Sequence, residues 1–272
     1  MYNPVGIFDS GYGGLTVFEK IRETLPRYDY LYLGDNARTP YGTRSFEVVY
    51  QFTRQAVEYL FSQGCPLVIL ACNTASAKAL RTIQQKDLPL WGGYKRVLGV
   101  IRPTVEVLDT LTETKHIGIL GTNGTIASAS YEIEIRKMFP HIQVTGEACP
   151  LWVPLVETGE YVSSGADYFI KKHIERILTA DPLIDTLILG CTHYPLLMEK
   201  ISRFLPPEVQ LFAQGQCVAD SLQHYLMRHP EMDKLLSKQG DCRFQTTEST
   251  QRFNDSASLF LPYSIEAEQV IL

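Results

Sequence analysis

Two short motifs occur twice in this 272-residue chain, in the same order each time. The first copy reads Gly6-Ile7-Phe8-Asp9-Ser10 and later Leu70-Ala71-Cys72-Asn73-Thr74. The second copy reads Gly118-Ile119-Leu120-Gly121-Thr122 and later Leu189-Gly190-Cys191-Thr192-His193. In each motif an apolar run leads into polar or small residues, which is typical of the end of a buried strand. The repeat therefore indicates two related units, each with one cysteine at the same position.

Short apolar runs alternate with amphipathic stretches along the chain. The run Leu67-Val68-Ile69-Leu70 is continuous, as expected for a strand covered on both faces of a parallel sheet. Ser45 is a candidate N-cap for a helix that ends before Gly64. The alternation predicts an α/β fold with mainly parallel sheets and helices on both faces. It also predicts a helix begun by Pro103, one near 126–139 and one from Pro195.

The charge of the chain and its cysteines indicate which partners it can bind and which cell compartment it occupies. The chain has 25 Lys and Arg against 30 Asp and Glu, with no basic block, which argues against nucleic acid or an anionic membrane as the main partner. No run approaches the roughly 18–20 apolar residues of a membrane-spanning helix. The N-terminus lacks signal-peptide features, so we expect a cytoplasmic protein. The six cysteines include no C-x-x-C pair and are expected to be free thiols there.

Cys72 and Cys191 each follow a buried strand and are expected to open the next helix. Ligands of open α/β sheets bind outside the carboxyl ends of the strands. A helix N-terminus offers free N–H groups and a partial positive charge, which favour a thiolate. A single such cysteine is often a buried filler, but two at equivalent positions indicate a functional pair. The other four cysteines have no such context.

Each of the two cysteines has polar neighbours. Asp9, which ends the first strand with Ser10, could accept or relay a proton beside Cys72, or could simply cap the next helix. His193 could act as a base toward Cys191 or bind substrate, or could be a plain surface histidine. Polar groups at the expected helix starts could receive an amino acid's carboxylate. These residues are Asn73, Thr74 and Thr192.

Four weaker features remain. The polar loop 35–44 is a candidate substrate loop or an ordinary connection, and Glu157 could orient His193 or face solvent. Gly11-Tyr12-Gly13-Gly14 is similar to a dinucleotide fingerprint, but position 16 is Thr rather than the third glycine. Cys72, Cys191 and His193 lack a fourth ligand at a recognisable spacing for zinc. We therefore expect neither a nucleotide cofactor nor a metal.

Four motifs in order resemble those of bacterial glutamate racemases, in the aspartate/glutamate racemase superfamily. They begin at Gly6, Gly34, Ala71 and Leu189, and the resemblance covers almost the whole chain. It implies two α/β domains, related by a pseudo-twofold axis, with the active site in the cleft between them. We expect residues 1–98 plus 211–272 in the first domain and 99–210 in the second. One departure is Ala213-Gln214, where many members have an Asp-Ser type sequence.

The resemblance also implies a cofactor-independent racemase that interconverts L- and D-glutamate, with the D form used for peptidoglycan. It assigns Cys72 and Cys191 as the catalytic pair, with Asp9 and His193 assisting the thiols and Glu157 near the histidine. The implied substrate-binding positions are Asp9, Ser10, Tyr41, Gly42, Asn73, Thr74, Thr122, Thr192 and His193. The expected partner is the small-molecule substrate glutamate. A homodimer stays open as an alternative to a monomer.

Racemisation removes the α proton from one face and returns a proton on the other, and two groups on opposite faces are the simplest design. By resemblance, Cys72 would take the proton from D-glutamate and Cys191 from L-glutamate. No lysine stands at a strand end to form a Schiff base with pyridoxal. Alternatives are an aspartate racemase, a decarboxylase or cis–trans isomerase on a related fold, and a non-catalytic binding protein. The pair of cysteines disfavours decarboxylation, which needs only one.

Overall fold

A computed structural model describes residues 2–272, in which ten strands form two sheets. The strands are β1 (Val5–Asp9), β2 (Tyr30–Gly34), β3 (Leu67–Leu70), β4 (Arg96–Gly99), β5 (His116–Gly121), β6 (Gln143–Ala148), β7 (Thr186–Gly190), β8 (Gln210–Phe212), β9 (Cys242–Thr246) and β10 (Ala267–Gln269). The larger sheet has the order β10-β9-β2-β1-β3-β4, the smaller β6-β5-β7-β8. All strand pairs are parallel, which confirms the predicted α/β class.

The two sheets share the same order of four strands, as the sequence repeat predicts. The order β2-β1-β3-β4 in one sheet matches β6-β5-β7-β8 in the other. The register is also the same, since Phe8 pairs with Leu70 in the first sheet and Leu120 with Leu189 in the second. The two cysteine-bearing strand ends are therefore equivalent in space as well as in sequence. Strands β9 and β10 extend only the first sheet, and the repeat gave no signal for them.

Helices cover both sheets. They are α1 (Leu15–Thr24), α2 (Phe46–Ser62), α3 (Asn73–Lys78), α4 (Leu80–Thr82), α5 (Leu88–Trp91), α6 (Ile101–Leu111), α7 (Asn123–Ala127), α8 (Ser130–Met138), α9 (Trp152–Glu157), α10 (Ser164–Ala180), α11 (Met198–Ser202), α12 (Gly215–Arg228), α13 (Pro230–Leu235) and α14 (Thr250–Ala257). Short 3₁₀ turns span Asn36–Arg38, Tyr41–Thr43, Glu160–Val162 and Tyr194–Leu197, and a π turn spans Ile83–Asp87. Within residues 2–272, no helix is long and apolar enough to cross a membrane.

Local sequence signals explain several element limits. The Ser45 hydroxyl accepts a hydrogen bond from the Val48 N–H and caps α2, and Gly64 beyond its end has φ +89°, which favours glycine. Three predicted helices differ in detail. Pro103 lies inside the first turn of α6, which starts at Ile101, and the stretch 126–139 is split into α7 and α8 at Ala129, whose φ is +52°. The segment from Pro195 begins as a 3₁₀ turn rather than an α-helix.

Both faces of each sheet are packed against helices. In β3, Leu67 and Ile69 belong to one hydrophobic cluster while Val68 and Leu70 belong to the cluster on the other face. The second sheet divides in the same way, with Leu187 and Leu189 on one face and Ile188 on the other. This two-sided burial is the reason that these strands are continuous apolar runs.

The chain passes between the sheets at two places. The first sheet ends at Gly99, and β8 still pairs with β7 as far as Phe212. The chain thus leaves the first sheet one residue after the expected domain limit at 98, and leaves the second sheet two residues after the expected limit at 210. After Phe212, α12 packs on α1 and returns the chain to the first sheet. The sequence did not show β8, because three residues carry little periodicity.

Candidate active site

Three strand ends bring the candidate catalytic residues to one cleft. Asp9 ends β1, Cys72 follows β3 and Cys191 follows β7. Cys72 and Cys191 are only 5% and 7% exposed, and Asp9 is 1% exposed. The two cysteines are close enough for a charge on Cys191 to raise the pKa of Cys72. The cleft is therefore a nearly closed space between the carboxyl ends of the two sheets.

Contacts between the two units close this cleft. The Thr16 hydroxyl donates a hydrogen bond to the Thr192 carbonyl at 3.0 Å, and the hydroxyls of Thr74 and Thr122 lie 3.0 Å apart. A Cβ added at Gly13 would fall well inside van der Waals contact with the side chains of Thr192 and His193. The glycine-rich turn after β1 thus serves close packing against the other unit. This packing gives the fingerprint-like glycines a role that requires no dinucleotide.

Cys72 is the N-cap of α3. Its Sγ accepts from the Ala75 N–H at 3.4 Å and lies 3.4 Å from the Ser10 hydroxyl. Burial, reinforced by the charge of Asp9, nevertheless raises the pKa of the Cys72 thiol to about 12. The expected lowering by the helix N-terminus is thus outweighed at Cys72, because desolvation penalises the thiolate more than the hydrogen bonds favour it. Cys72 is a protonated thiol at neutral pH.

Cys191 has a different environment. The residues that follow it form a turn and then the Tyr194–Leu197 3₁₀ segment, so Cys191 does not open an α-helix as expected. Its partner is His193, whose Nδ1 lies 3.9 Å from the Cys191 Sγ. On the other side of the ring, Nε2 lies 2.9 Å from the Glu157 Oε1. Cys191, His193 and Glu157 therefore form a continuous chain of contacts.

The protonation of His193 follows from these contacts. Burial alone lowers its pKa, but hydrogen bonds to Cys191 and Glu157 outweigh burial and raise it to about 10. An imidazolium at this position places a positive charge beside the Cys191 sulfur. The structure brings Glu157, which the sequence indicated only weakly, into direct contact with His193 across 36 residues of chain.

Asp9 lies between the two sides of the cleft. Its Oδ1 accepts from the Gly11 N–H at 2.8 Å, while its buried Oδ2 has no hydrogen-bond partner within residues 2–272. Burial raises the pKa of Asp9, against the opposing effect of the positive charge of His193. Its charge also raises the pKa of Cys72, so Asp9 is coupled to both sides.

The remaining candidate positions surround the same cleft. Gly42 approaches Thr122 so closely that an added Cβ would lie 2.9 Å from the Thr122 Cβ. The Tyr41 hydroxyl donates to the buried carboxylate of Asp35, which also accepts from Arg38 and Thr247. Asp35 therefore holds the 35–44 loop in place. The Tyr41 hydroxyl is engaged by this contact.

Sequence reasoning missed two residues beside Asn73. The Tyr131 hydroxyl donates to the Asn73 Oδ1 at 2.7 Å, and the Asn73 Nδ2 donates to the Gln214 Oε1 at 2.7 Å. The only sequence signal was the departure at Ala213-Gln214, and nothing indicated Tyr131. In residues 2–272 no group of three or more His, Cys, Asp or Glu side chains is arranged to hold a metal ion.

A cavity of about 680 Å³ lies elsewhere at the junction of the two units. Its lining includes Lys78, Arg102, Lys137 and Tyr225, but none of the candidate catalytic residues. The buried thiols and the unpartnered Asp9 oxygen lie in the cysteine cleft rather than in this cavity, so the cleft is the candidate active site.

Comparisons with known proteins agree with this geometry. Residues 5–222 match the family described as Asp/Glu/Hydantoin racemase. The glutamate racemase of Ruegeria sp. (strain TM1040) is 40% identical, over 97% of this chain and 98% of its own. A crystal structure of a glutamate racemase isoform from Bacillus anthracis superposes with a TM-score of 0.90 at 34% identity, covering 99% of this chain and 98% of that one. The glutamate racemase of Francisella tularensis, solved in complex with D-glutamate, has a TM-score of 0.87 at 32% identity, covering 99% and 97%.

Proposed function

Because this chain belongs to the Asp/Glu/Hydantoin racemase family and is an isomerase, we propose that it interconverts L- and D-glutamate without a cofactor. The D-glutamate formed would supply peptidoglycan synthesis. The observation that carries the proposal is the pair of buried cysteines at equivalent strand ends of two repeated sheets. Such a pair can address opposite faces of one α carbon.

The two cysteines differ in the groups beside them, and this difference suits the L-to-D direction. In the proposed L-to-D step Cys191 reacts as a thiolate next to the protonated His193, while burial keeps the proton on Cys72 at neutral pH by raising its pKa. With L-glutamate, the Cα–H bond breaks and an S–H bond forms on Cys191. The electron pair left on Cα spreads into the α-carboxylate. The S–H bond of Cys72 then breaks, and its proton joins Cα on the opposite face to give D-glutamate.

The reverse direction needs the opposite protonation state. After one turnover from L to D, Cys72 is the thiolate and Cys191 the thiol, which is the state that takes a proton from D-glutamate. Asp9 and His193 are the nearby groups through which the resting state can be restored. The assignment of Cys191 to L-glutamate and Cys72 to D-glutamate follows the family resemblance.

Formation of a carbanion beside a carboxylate is the difficult step. The cleft supplies free N–H groups in the first turn of α3 and hydroxyls of Ser10, Thr74, Thr122 and Thr192. Donors fixed around an enclosed space stabilise developing negative charge far better than water does. The small exposure of both cysteines supports exclusion of water from the reacting centre.

Circular dichroism of each enantiomer of glutamate and of aspartate, with the purified chain, tests the substrate. We expect L- and D-glutamate to lose optical activity, while aspartate racemises far more slowly. Preference for aspartate, or release of carbon dioxide without racemisation, would contradict the proposal. Activity should survive dialysis against EDTA, and a loss restored by zinc would overturn the cofactor-independent mechanism.

Removal of the thiols tests the two-base mechanism. We expect Cys72→Ala and Cys191→Ala each to reduce racemisation by about 10³-fold or more, because general acid–base groups contribute on the order of 10²–10⁴ each. The matched control is Cys242→Ala on β9, which should racemise at the wild-type rate. Near wild-type racemisation by either active-site variant would contradict the mechanism.

Two further statements stay predictions. We place the enzyme in the cytoplasm, in line with its six free cysteines, and fractionation of cells that produce the chain tests this placement. A homodimer is the expected alternative to a monomer, and sedimentation of the full chain distinguishes them.

A further inference from the structure

We propose that Gln214 is a positioning residue that fixes the Asn73 side chain at the edge of the cysteine cleft through a closed hydrogen-bond network with Tyr131 and Thr104. The proposal rests on the proposed function, because it gives Asn73 and its neighbours the task of receiving the substrate carboxylate. It concerns the one segment where this chain departs from the family motifs.

The network is buried and complete. Gln214 is 4% exposed, and its Oε1 accepts from the Asn73 Nδ2 at 2.7 Å. Its Nε2 donates to the Thr104 Oγ1 at 2.7 Å and also to the Tyr131 hydroxyl. The Tyr131 hydroxyl in turn donates to the Asn73 Oδ1 at 2.7 Å. A buried amide group left unpaired would be costly, so this arrangement is strongly held.

The direction of every hydrogen bond is determined. The Thr104 hydroxyl donates to the Val100 carbonyl at 2.8 Å, and a carbonyl can only accept. Thr104 therefore accepts from the Gln214 Nε2, which turns the Gln214 Oε1 toward the Asn73 Nδ2. The Asn73 Oδ1 must then face Tyr131. Only one orientation of both amides satisfies all four side chains.

The network also joins the two units beside the reacting cysteine. Asn73 is the first residue of α3 and follows Cys72, whereas Tyr131 lies on α8 and Thr104 on α6. Gln214 lies on the second passage between the sheets, just before α12. The Asn73 backbone N–H lies in the first turn of α3, where N–H groups have no partner within the helix. Gln214 thus fixes the Asn73 side chain next to Cys72 without itself touching the substrate.

Substitution of Gln214 by methionine tests this role, because methionine matches its length and removes both polar atoms. We expect kcat/KM of Gln214→Met to fall about tenfold for both enantiomers, mainly through a higher KM, since misplaced donors weaken carboxylate binding. The pH profile of kcat should stay unchanged, because neither cysteine loses a contact. Tyr131→Phe, which removes one oxygen, should shift KM in the same direction.

Gln245→Met is the matched control. Gln245 is a buried glutamine on β9 that accepts from the Tyr59 hydroxyl at 3.1 Å, away from the cleft. Its substitution should lower the thermal midpoint and leave KM unchanged, which separates a loss of stability from a loss of positioning. The double variant Gln214→Met/Tyr131→Phe should lose little more than the worse single variant, because both changes act through Asn73.

Wild-type KM and kcat in folded Gln214→Met would overturn the inference while leaving the proposed function intact, since the wild-type chain would still racemise glutamate. If far-ultraviolet circular dichroism shows that Gln214→Met does not fold, the KM of Tyr131→Phe tests the inference instead. An unchanged KM in that variant would overturn the inference. Failure of the wild-type chain to racemise glutamate would instead overturn the proposed function.

Discussion

The two cysteines occupy equivalent positions but differ in the groups beside them. Cys72 has a helix cap, a serine hydroxyl and a nearby carboxylate, while Cys191 has the imidazole of His193 backed by Glu157. Burial raises the pKa of Cys72, whereas contacts with Cys191 and Glu157 raise that of His193. Two equivalent strand ends therefore carry cysteines with different neighbours, a capped and buried thiol at Cys72 and a sulfur beside an imidazole at Cys191.

This difference predicts unequal effects of the two assisting groups. His193→Asn should slow α-proton removal from L-glutamate more than from D-glutamate, because only Cys191 loses its partner. Asp9→Asn should have the opposite bias. The ratio of kcat/KM for the two enantiomers cannot show this, since their equilibrium constant is one. Exchange of α-deuterium into water, measured separately from each enantiomer in single turnovers, resolves the steps.

The control for this experiment is Glu157→Gln, which should share the direction of His193→Asn with a smaller effect. Glu157 contacts the ring of His193, with its Oε1 2.9 Å from the His193 Nε2. Equal slowing of both exchange steps by His193→Asn and Asp9→Asn would mean that both residues mainly position the substrate. The proton-transfer roles would then be wrong.

At the scale of elements, the turn between β1 and α1 determines how closely the two units approach. Gly13 lies against Thr192 and His193, and Gly14 lies against Asp9, where an added Cβ would be 2.5 Å from the Asp9 Cβ. A side chain at either position must displace Thr192, His193 or Asp9. The glycines are thus required by close approach across the cleft.

Gly13→Ala tests this requirement. The new methyl group should hold the units apart or push His193 from Cys191, and we expect kcat/KM to fall about 100-fold, as misplacement by about 1 Å can do. Gly11→Ala on the same turn is the matched control, because its Cβ would meet nothing closer than 3.6 Å. Far-ultraviolet circular dichroism confirms folding, and racemase assays compare the two. Equal activities would show that the turn does not determine closure.

At the scale of the whole molecule, the proposed site lies at the junction of the two sheets rather than within either one. The hydrogen bonds Thr16–Thr192, Thr74–Thr122 and Asn73–Gln214 all cross between residues of different units or of their connections. Because both cysteines are almost fully buried, the proposed mechanism requires the units to separate before substrate can reach them. The folded packing raises the pKa of His193, so the free energy of unfolding depends on the protonation of this buried residue.

This linkage predicts a pH dependence of stability. A histidine whose pKa rises from 6.5 unfolded to about 10 folded stabilises the protein fully below pH 6.5, and this stabilisation is lost as pH rises through 10. The free energy of unfolding should therefore fall between pH 6.5 and 9, by at most about 1.4 kcal/mol per pH unit for one proton. Urea unfolding of wild type and His193→Gln at several pH values measures this.

The difference in stability between wild type and His193→Gln should shrink as pH rises across that window. The Cys72 thiol lowers the free energy of unfolding only above pH 9, its unfolded pKa. The contributions of His193 and Cys72 can therefore be distinguished by pH range. His224→Gln, an exposed position on α12, is the control and should parallel wild type. A difference between wild type and His193→Gln that does not change with pH would contradict the raised pKa of His193.

The sequence by itself determined the α/β class, the repeat, the two strands that precede the cysteines and the position of each cysteine. A continuous apolar run such as Leu67–Leu70 is required by burial on both faces of a sheet. The residues that follow it must lie at the carboxyl end of that strand. These features are local, so they can be read from neighbouring residues. The family motifs added the assignment of roles to the residues at those edges.

Only the tertiary structure decided which side chains meet. Glu157 reaches His193 from α9, and Gln214 reaches Asn73 across 141 residues of chain. These contacts form because segments from different parts of the chain pack at the carboxyl ends of the strands. The raised pKa of Cys72 also depends on burial by residues distant in sequence. The helix terminus visible in the sequence predicted the opposite direction. Desolvation and long-range contacts belong to the packed molecule, and no local pattern of residues records them.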